Sequence, residues 1–336
     1  MSFTCKNPVL VCTFNRPELT RRVLEAVRAV SPPALYLACD GPRSDADRAA
    51  IEAIREMASA DQFSFPVLTR FAESNQGCGK GIFAALGWFF GCVDQGIVLE
   101  DDTLPSTDFF RFCDEMLHEH KADERIHAVC GAQLLPPVAK RLSGDAAFSS
   151  KYFLCWGWAS WARCLPGFEV SRPDWQMSEL DSIADQMGMS LFEKDFWKTQ
   201  FLRAFRGEID TWDYQFLYNA WRLQRRMILP AVNLVSNIGF GEGATHTVNA
   251  ESNLSQLQCE PLAAAISTSQ DIELSSFLED LRFYYIYNQH WSASGAAEYS
   301  RRADSQYLER LRKAESLIQS PISLMRHYLK NLFGKG

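Results

Sequence analysis

Apolar and polar positions alternate along the first hundred or so residues in blocks of two different periods. The stretch 8–14, PVLVCTF, is almost continuously apolar and reads as a buried strand. In RPELTRRVLEAVRAV, 16–30, Leu19, Val23, Leu24, Val27 and Val30 recur close to helical spacing, with Pro17 at the helix start. The same alternation continues with ALYLACD (34–40) as a strand and SDADRAAIEAIREMASA (44–60) as a helix whose Ser44 and Asp45 suit an N-cap. FPVLTRF (65–71) is a third strand, GKGIFAALGWFFGCV (79–93) a third helix, and GIVLEDD (96–102) a fourth strand. Strand–helix alternation of this kind predicts an α/β protein with a mainly parallel sheet covered on both faces.

Beyond about residue 105 the pattern changes. TDFFRFCDEMLHEHKAD looks helical and IHAVCGAQL looks like a strand, while YFLCWGWASWARC is dense with tryptophan. A mixed, helix-rich stretch over 174–208 leads into IDTWDYQFLYNAW, and after about 250 the chain is polar and then helical to its end. These shifts predict a catalytic domain over 1–250, with a nucleotide-binding half (1–103) and a second half (104–250), followed by a helical C-terminal extension over 251–336. There are no internal repeats and no low-complexity segments.

Composition narrows the class. Of 336 residues 47% are apolar, which supplies a sizeable core and argues against global disorder. A net charge of −7 argues against a dedicated nucleic-acid binder, which normally carries a basic excess. None of the ten cysteines forms a CxxC pair, and several sit in apolar segments, so they read as reduced thiols of a cytoplasmic protein. No basic segment leading into an apolar run stands at the N-terminus, so no signal peptide is read there. The longest apolar run, Ile82 to Val93, has 12 residues and two glycines, too short to cross a bilayer. The expectation is a soluble protein, or at most one peripheral to a membrane.

The chemistry concentrates at strand ends. Ligands of open parallel sheets bind outside the carboxyl ends of the strands. There the sequence places Thr13, Asn15 and Arg16 after the first strand, Asp40 after the second, and Glu100, Asp101 and Asp102 after the fourth. Three adjacent acids either form a solvated turn or surround something positive. Hard carboxylate oxygens suit Mg²⁺ or Mn²⁺, and such an ion typically holds a diphosphate. Two other phosphate motifs fail in SNQGCGKGI: a P-loop would need Ser or Thr where Gly81 stands, and a dinucleotide fingerprint would need glycine where Ile82 stands. The plain reading is a glycine-rich loop capping a helix. Lys80 is either a contact to the diphosphate or a solvated helix-terminal lysine.

Taken together, PVLVCTFNRPELTRRVLEAV, LACDGPR, NQGCGKGIFAALGWFF and GIVLEDDTLPSTDFF resemble the nucleotide-binding half of GT-A-fold glycosyltransferases. The likeness is to bacterial family-2-like members and to the animal N-acetylglucosaminyltransferase that begins complex N-glycans, and it runs through most of 8–250. The resemblance implies a metal held by Asp102, with Glu100 and Asp101 beside it, and nucleotide contacts from Arg16 and Asp40. Thr13, Asn15, Lys80, Trp158 and His246 join them in the expected donor site. CWGWASW is similar to the family's glycine–tryptophan loop, TWDYQF to the segment that supplies the catalytic base, and FGEGATHT to a loop that closes over the diphosphate. Where the animal enzyme has two adjacent acids after its tryptophan, here Asp213 alone follows Trp212 and Tyr214 comes next.

The residues support Asp213 as the base independently. An inverting transfer needs a carboxylate to take the acceptor's proton, and an apolar–aromatic surrounding raises basicity. The alternative is a helix cap, and Glu208 and Asp210 are the next candidates. Trp156, Trp158 and Trp161 can stack on sugar faces, with at least one of them purely structural. His246 either reaches a phosphate or faces solvent. The resulting expectation is a metal-dependent, inverting glycosyltransferase using a nucleoside-diphosphate sugar, in particular a UDP-sugar, and a glycan or lipid-linked acceptor of the cell envelope. Two rivals are a sugar-nucleotide-binding protein without transfer activity and a sugar-nucleotide pyrophosphorylase, although CTFNRPELT lacks the glycine-rich loop the latter needs. The tail SPISLMRHYLKNLFGKG (320–336) is a basic amphipathic segment, suited either to an anionic membrane surface or to docking on the catalytic domain.

Overall fold

The computed structural model describes residues 3–135, 139–140, 143–240, 257–269, 278–279 and 282–283. The alternation read from the sequence is present: β1 (Val9–Thr13), α1 (Pro17–Ala29), β2 (Leu35–Cys39), α2 (Asp45–Met57), β3 (Val67–Phe71), α3 (Cys78–Cys92) and β4 (Gln95–Glu100). Local chemistry sets several boundaries. Pro17 opens α1, where its missing N–H costs nothing. The Ser44 hydroxyl accepts the Asp47 amide at 3.2 Å to open α2, as its position predicted.

The chain continues with β5 (Thr103–Pro105), α4 (Thr107–Glu119), β6 (Ile126–Cys130), β7 (Ala147–Ser150) and β8 (Trp158–Trp161). Then come α5 (Glu179–Gln186), α6 (Leu191–Phe205), α7 (Asp213–Arg222), β9 (Arg226–Leu229), β10 (Val235–Asn237) and β11 (Thr268–Ser269). Nine of the described strands form one sheet in the order β11-β7-β9-β6-β8-β4-β1-β2-β3. β3, β2, β1 and β4 run parallel; β8 is antiparallel to both its neighbours, β4 and β6. β6 and β9 are parallel, β7 opposes β9, and β11 is parallel to β7. The result is a mixed α/β fold with a mostly parallel, Rossmann-like central sheet flanked by helices.

The sheet separates two cores. Along β1, Leu10 and Cys12 face one side with α3, while Val9 and Val11 face the other with α1, α2 and α4. All five β1 residues are buried, as a central strand covered on both faces requires. The first core continues into an aromatic layer built by Phe153, Trp158, Trp212, Phe216 and Trp221. Each large aromatic side chain lost from such a layer would cost about 3–5 kcal/mol.

After 250 the described residues are of two kinds: 257–269 contain no helix, whereas 278–279 and 282 are helical. Residues 257–267 are irregular, and the backbone then joins the edge of the sheet through the two-residue β11. Arg111 donates to the carbonyls of Leu262, Ala263 and Ala264, and Glu260 N–H to the Asn233 carbonyl at 2.8 Å. Glu279 accepts the Lys151 amide at 2.7 Å and pairs with Arg226. The tail at 320–336 lies outside the described residues. Among the described residues no helix is long and apolar enough to cross a membrane.

His127 on β6 gives the fold a pH signature. Its ring is wholly buried, 4.6 Å from that of Phe216, and burial, helped by Arg225 and Arg163, pushes its pKa down to about 3. Because the folded value lies below the ordinary 6.5, the unfolded chain takes up a proton first as pH falls. Stability present above about pH 6.5 is therefore lost progressively toward pH 3. His127→Leu should remove about 2 kcal/mol of the stability difference between pH 7 and pH 5. Urea unfolding at the two pH values measures it; an unchanged difference would mean the ring is not held neutral.

Candidate active site

β1 and β4 are parallel neighbours, so the turns that follow them meet at one carboxyl edge of the sheet. Ligands of open α/β sheets bind in the crevice outside such an edge. The three acids after β4 stand at this crevice, and something positive does sit among them. It is Arg16, at the start of α1. Its guanidinium forks onto the Asp101 carboxylate through Nε at 3.3 Å and a shorter Nη2 contact, while Nη1 reaches Asp102 Oδ2 at 3.0 Å. The turn is tied off by Thr103, whose hydroxyl accepts the Glu100 amide at 2.8 Å and donates back to the Glu100 carbonyl at 3.0 Å.

The acids differ in their electrostatics. Asp101 is buried, and desolvation pushes its pKa up to about 6 against the pull of Arg16, leaving it ionised at neutral pH. Glu100 is driven well above the ordinary carboxylate range by burial first, then by the negative charges of Asp102, Asp101 and Asp213. Asp213 thus bears on the same point from the first turn of α7. Two thiols report the same field: burial raises Cys155, assisted by Asp213, Glu100 and Asp102, and burial raises Cys78, assisted by Glu100, Asp213 and Asp210.

Asp213 is not the N-cap of α7. Trp212 holds that position without a side-chain cap, and Asp213 is the first helical residue, its Oδ1 accepting the Thr211 hydroxyl. Trp212 is buried and stacks on Trp158, with ring centroids 5.5 Å apart and planes 28° apart. Trp158, expected to meet the donor, has 0% exposure and packs edge-on to Phe153. As folded, it has no open face for a ligand; it supports the residue that precedes Asp213. Trp161 is likewise buried, and Trp156 is the half-buried member of the three.

The glycine-rich loop behaves as the cap that its sequence suggested. Asp40 accepts the backbone amides of Gly41 (2.8 Å), Gln76 (2.9 Å) and Gly77 (3.1 Å) and the Asn75 side-chain amide (2.8 Å). Asp210 accepts the next two amides, Cys78 at 2.9 Å and Gly79 at 2.8 Å, so a carboxylate caps α3 from more than a hundred residues away. Gly77 adopts φ +81°, and a side chain there would run into Asp210. Both acids are therefore occupied in holding this loop, which takes Asp210 out of the running as a base. Lys80 points to solvent. Asn15 donates to Asp47 at 2.6 Å, and the Thr13 hydroxyl to the Ala38 carbonyl at 3.3 Å, so both brace the β1 end in this structure.

Sequence reasoning weighed Asp210 only as an alternative base and missed its role as the cap of α3, and it missed Gly239. β10 pairs with β5, and Ile238 N–H donates to the Asp102 carbonyl at 2.8 Å. This lays Gly239 so closely on Asp102 that any Cβ would collide with its carboxylate. Gly239 stands just before FGEGATHT, and nothing in the sequence there names Asp102 as its partner. Of the expected lid FGEGATHT the described residues include Phe240 alone, whose ring meets Trp156 edge-on at 5.8 Å; His246 lies outside the described residues.

Hard carboxylate oxygens are the right chemistry for a divalent cation, and Glu100, raised first by burial and then by the negative charges of Asp102, Asp101 and Asp213, is a carboxyl that a cation would favour in its ionised form. Among the described residues, no three His, Cys, Asp or Glu side chains are grouped to hold an ion alone. Asp102 and Glu100 could supply one or two carboxylates to an ion completed by phosphate oxygens, the arrangement Mg²⁺ commonly takes.

Fold and site thus define a Rossmann-like α/β protein with an acidic, arginine-braced cleft at the strand ends. No family model matches the chain, and no curated protein matches it in sequence. Among solved structures it is similar to HddC from Yersinia pseudotuberculosis, at 11% identity and TM-score 0.29, over 47% of this chain and 78% of that one. It is also similar to mouse xyloside xylosyltransferase 1 in its apo form, at 10% identity and TM-score 0.30, over 64% of this chain and 80% of that one. Likenesses this weak establish neither a shared fold nor a shared activity.

The capping role of Asp210 is directly measurable. Asp210→Ala should cost about 1–2 kcal/mol of stability, and Asp210→Asn, which keeps an acceptor, less. An unchanged urea midpoint in the alanine variant would mean that α3 does not depend on this carboxylate.

Proposed function

We propose that this protein is a nucleotide-sugar-dependent glycosyltransferase of the GT-A type, passing a sugar from a nucleoside diphosphate to a hydroxyl acceptor with inversion. The observation that carries this reading is the meeting of Asp213 with Glu100 and Asp102 at the β1/β4 crevice, where Arg16 braces the turn. In this reading Arg16 orients Asp101 and Asp102, so that Asp102, with Glu100 beside it, would hold Mn²⁺ or Mg²⁺. When bound, that ion would stabilise the negative charge gathering on the departing diphosphate. Asp213 would take the proton of the acceptor hydroxyl as its oxygen bonds to the anomeric carbon and the bond to the diphosphate oxygen breaks. The Thr211 hydroxyl and the stacked Trp212–Trp158 pair fix that carboxylate from behind.

A UDP-sugar donor, a glycan or lipid-linked acceptor of the cell envelope, a role in polysaccharide biosynthesis and a cytoplasmic, peripheral location complete the proposal on the strength of the sequence resemblance. Released nucleotide is the readout that tests it. A panel of nucleotide sugars with Mn²⁺ should show turnover by the native protein. Asp102→Asn should abolish it together with metal-dependent nucleotide binding. Asp213→Asn should remove transfer by more than about a hundredfold while leaving nucleotide binding near native, because a base acts only in the chemical step. Full activity in excess EDTA, or normal turnover by either variant, contradicts the proposal.

A further inference from the structure

Helix α3 breaks the pattern set by its neighbours. α1 and α2 turn ion pairs outward, such as Arg21–Glu25 and Arg55–Glu52. α3, CGKGIFAALGWFFGC, has Lys80 as its one charged residue and is otherwise built from apolar residues and glycine. A helix that is apolar all round is normally covered on every side. Here one side alone is covered. Leu86, Phe89 and Phe90 enter the core, while Lys80, Phe83, Gly87 and Gly91 face solvent in one stripe at i, i+3, i+7 and i+11.

The exposed apolar surface spreads beyond the helix. Phe83 is 38% exposed, and half-buried Trp88 lies edge-on to Tyr36 of β2 at 5.2 Å. Leu68 of β3 sits opposite Tyr36 in the parallel register, hence on the same side of the sheet, and is 37% exposed. Contiguous surface of this kind marks an interaction site. The two glycines add a second observation. Neither has the positive φ that calls for glycine, and a Cβ at either would meet nothing among the described residues. Glycine weakens a helix, so nothing in the single chain's own packing favours it at these positions.

Charge selects what covers the stripe. A helix lying in a membrane surface carries several basic residues beside its apolar face, and α3 has one. The basic tail at 320–336 would find a single acid along the stripe, the exposed Asp94 just beyond the end of α3. A second copy of the chain fits along the whole length. Gly87 lies midway in sequence between Lys80 and Asp94, and also midway between Phe83 and Gly91. Two α3 helices, antiparallel about a twofold axis at Gly87, therefore set Lys80 against Asp94 of the second copy at both ends. The same pairing seats each Phe83 on the other copy's Gly91, and bare glycines at the crossing let the backbones approach.

We infer that the protein forms a twofold dimer through the exposed face of α3. The inference is independent of transferase activity, since this face lies outside the acidic cleft.

Sedimentation velocity of the full-length protein between about 1 and 100 μM tests it, in reducing buffer because Cys92 is exposed beside the stripe. The native protein should sediment as a dimer. Gly87→Lys, which sets two ammonium groups against each other on the axis, should weaken association at least about a hundredfold. Its circular dichroism should stay native, because lysine is the better helix former. Lys80→Glu and Asp94→Lys should each weaken the dimer about tenfold, and the double variant should restore it. A dimer that persists in Gly87→Lys, or charge reversals that fail to rescue each other, overturns the inference. So does a native monomer at every concentration. In that case a fall in melting temperature on Gly87→Lys would assign the face to a segment of the same chain, and loss of binding to anionic vesicles would assign it to a membrane.

Discussion

The ion pairs of Arg16 with Asp101 and Asp102 allow three consecutive acids to close a buried strand. Two carboxylates about 4 Å apart repel by about 4 kcal/mol at an effective dielectric of about 20, and burial adds a desolvation cost. A guanidinium is suited to offset both, because it stays charged and its planar fork can engage two carboxylates at once. The arginine comes from the turn between β1 and α1, so the same interaction fastens the first β–α connection to the end of β4. The arrangement leaves Asp101 consumed as a structural anion and Glu100 with a raised pKa beside Asp102 and Asp213. One side chain thereby turns a repulsive sequence into an organised cleft.

Around that cleft, acids far apart in sequence serve as fixtures. Asp40 and Asp210 divide the amides of the 76–79 loop between them, and Gly239 lies against Asp102 from the β10 side. The aromatic layer performs the corresponding task for α7: Trp212 stacks on Trp158, and Phe216 packs against both and against His127. Asp213 is consequently presented from a rigid element.

What the chain reveals by inspection follows from the range of each interaction. β1 through β4 and α1 through α3 were legible because strand and helix periods are local, and Pro17 and Ser44 act within one turn. The clustering of strand-end residues was legible too, since parallel strands share a carboxyl edge. The specific partners were not. Nothing in EDD names Arg16, and nothing in the glycine loop names Asp210, because those contacts depend on tertiary closure across 85 and 132 positions. Trp158 was misplaced for a related reason: tryptophan in a glycine-flanked loop looks available, and only the neighbouring Phe153, Trp212 and Phe216 show that it is enclosed. β11 was not legible because a two-residue strand is too short to show a period of its own.

The central claim is that the arginine-braced acids form the site of a diphosphate and its cation. A crystal structure grown with UDP and Mn²⁺ tests it most directly, with the ion located by its anomalous signal. The account predicts a single strong peak bridging the Asp102 carboxylate and the diphosphate at the β1/β4 crevice, with Asp101 still paired to Arg16. UDP bound away from that crevice, or a manganese peak with no contact to Asp102 or Glu100, would contradict it.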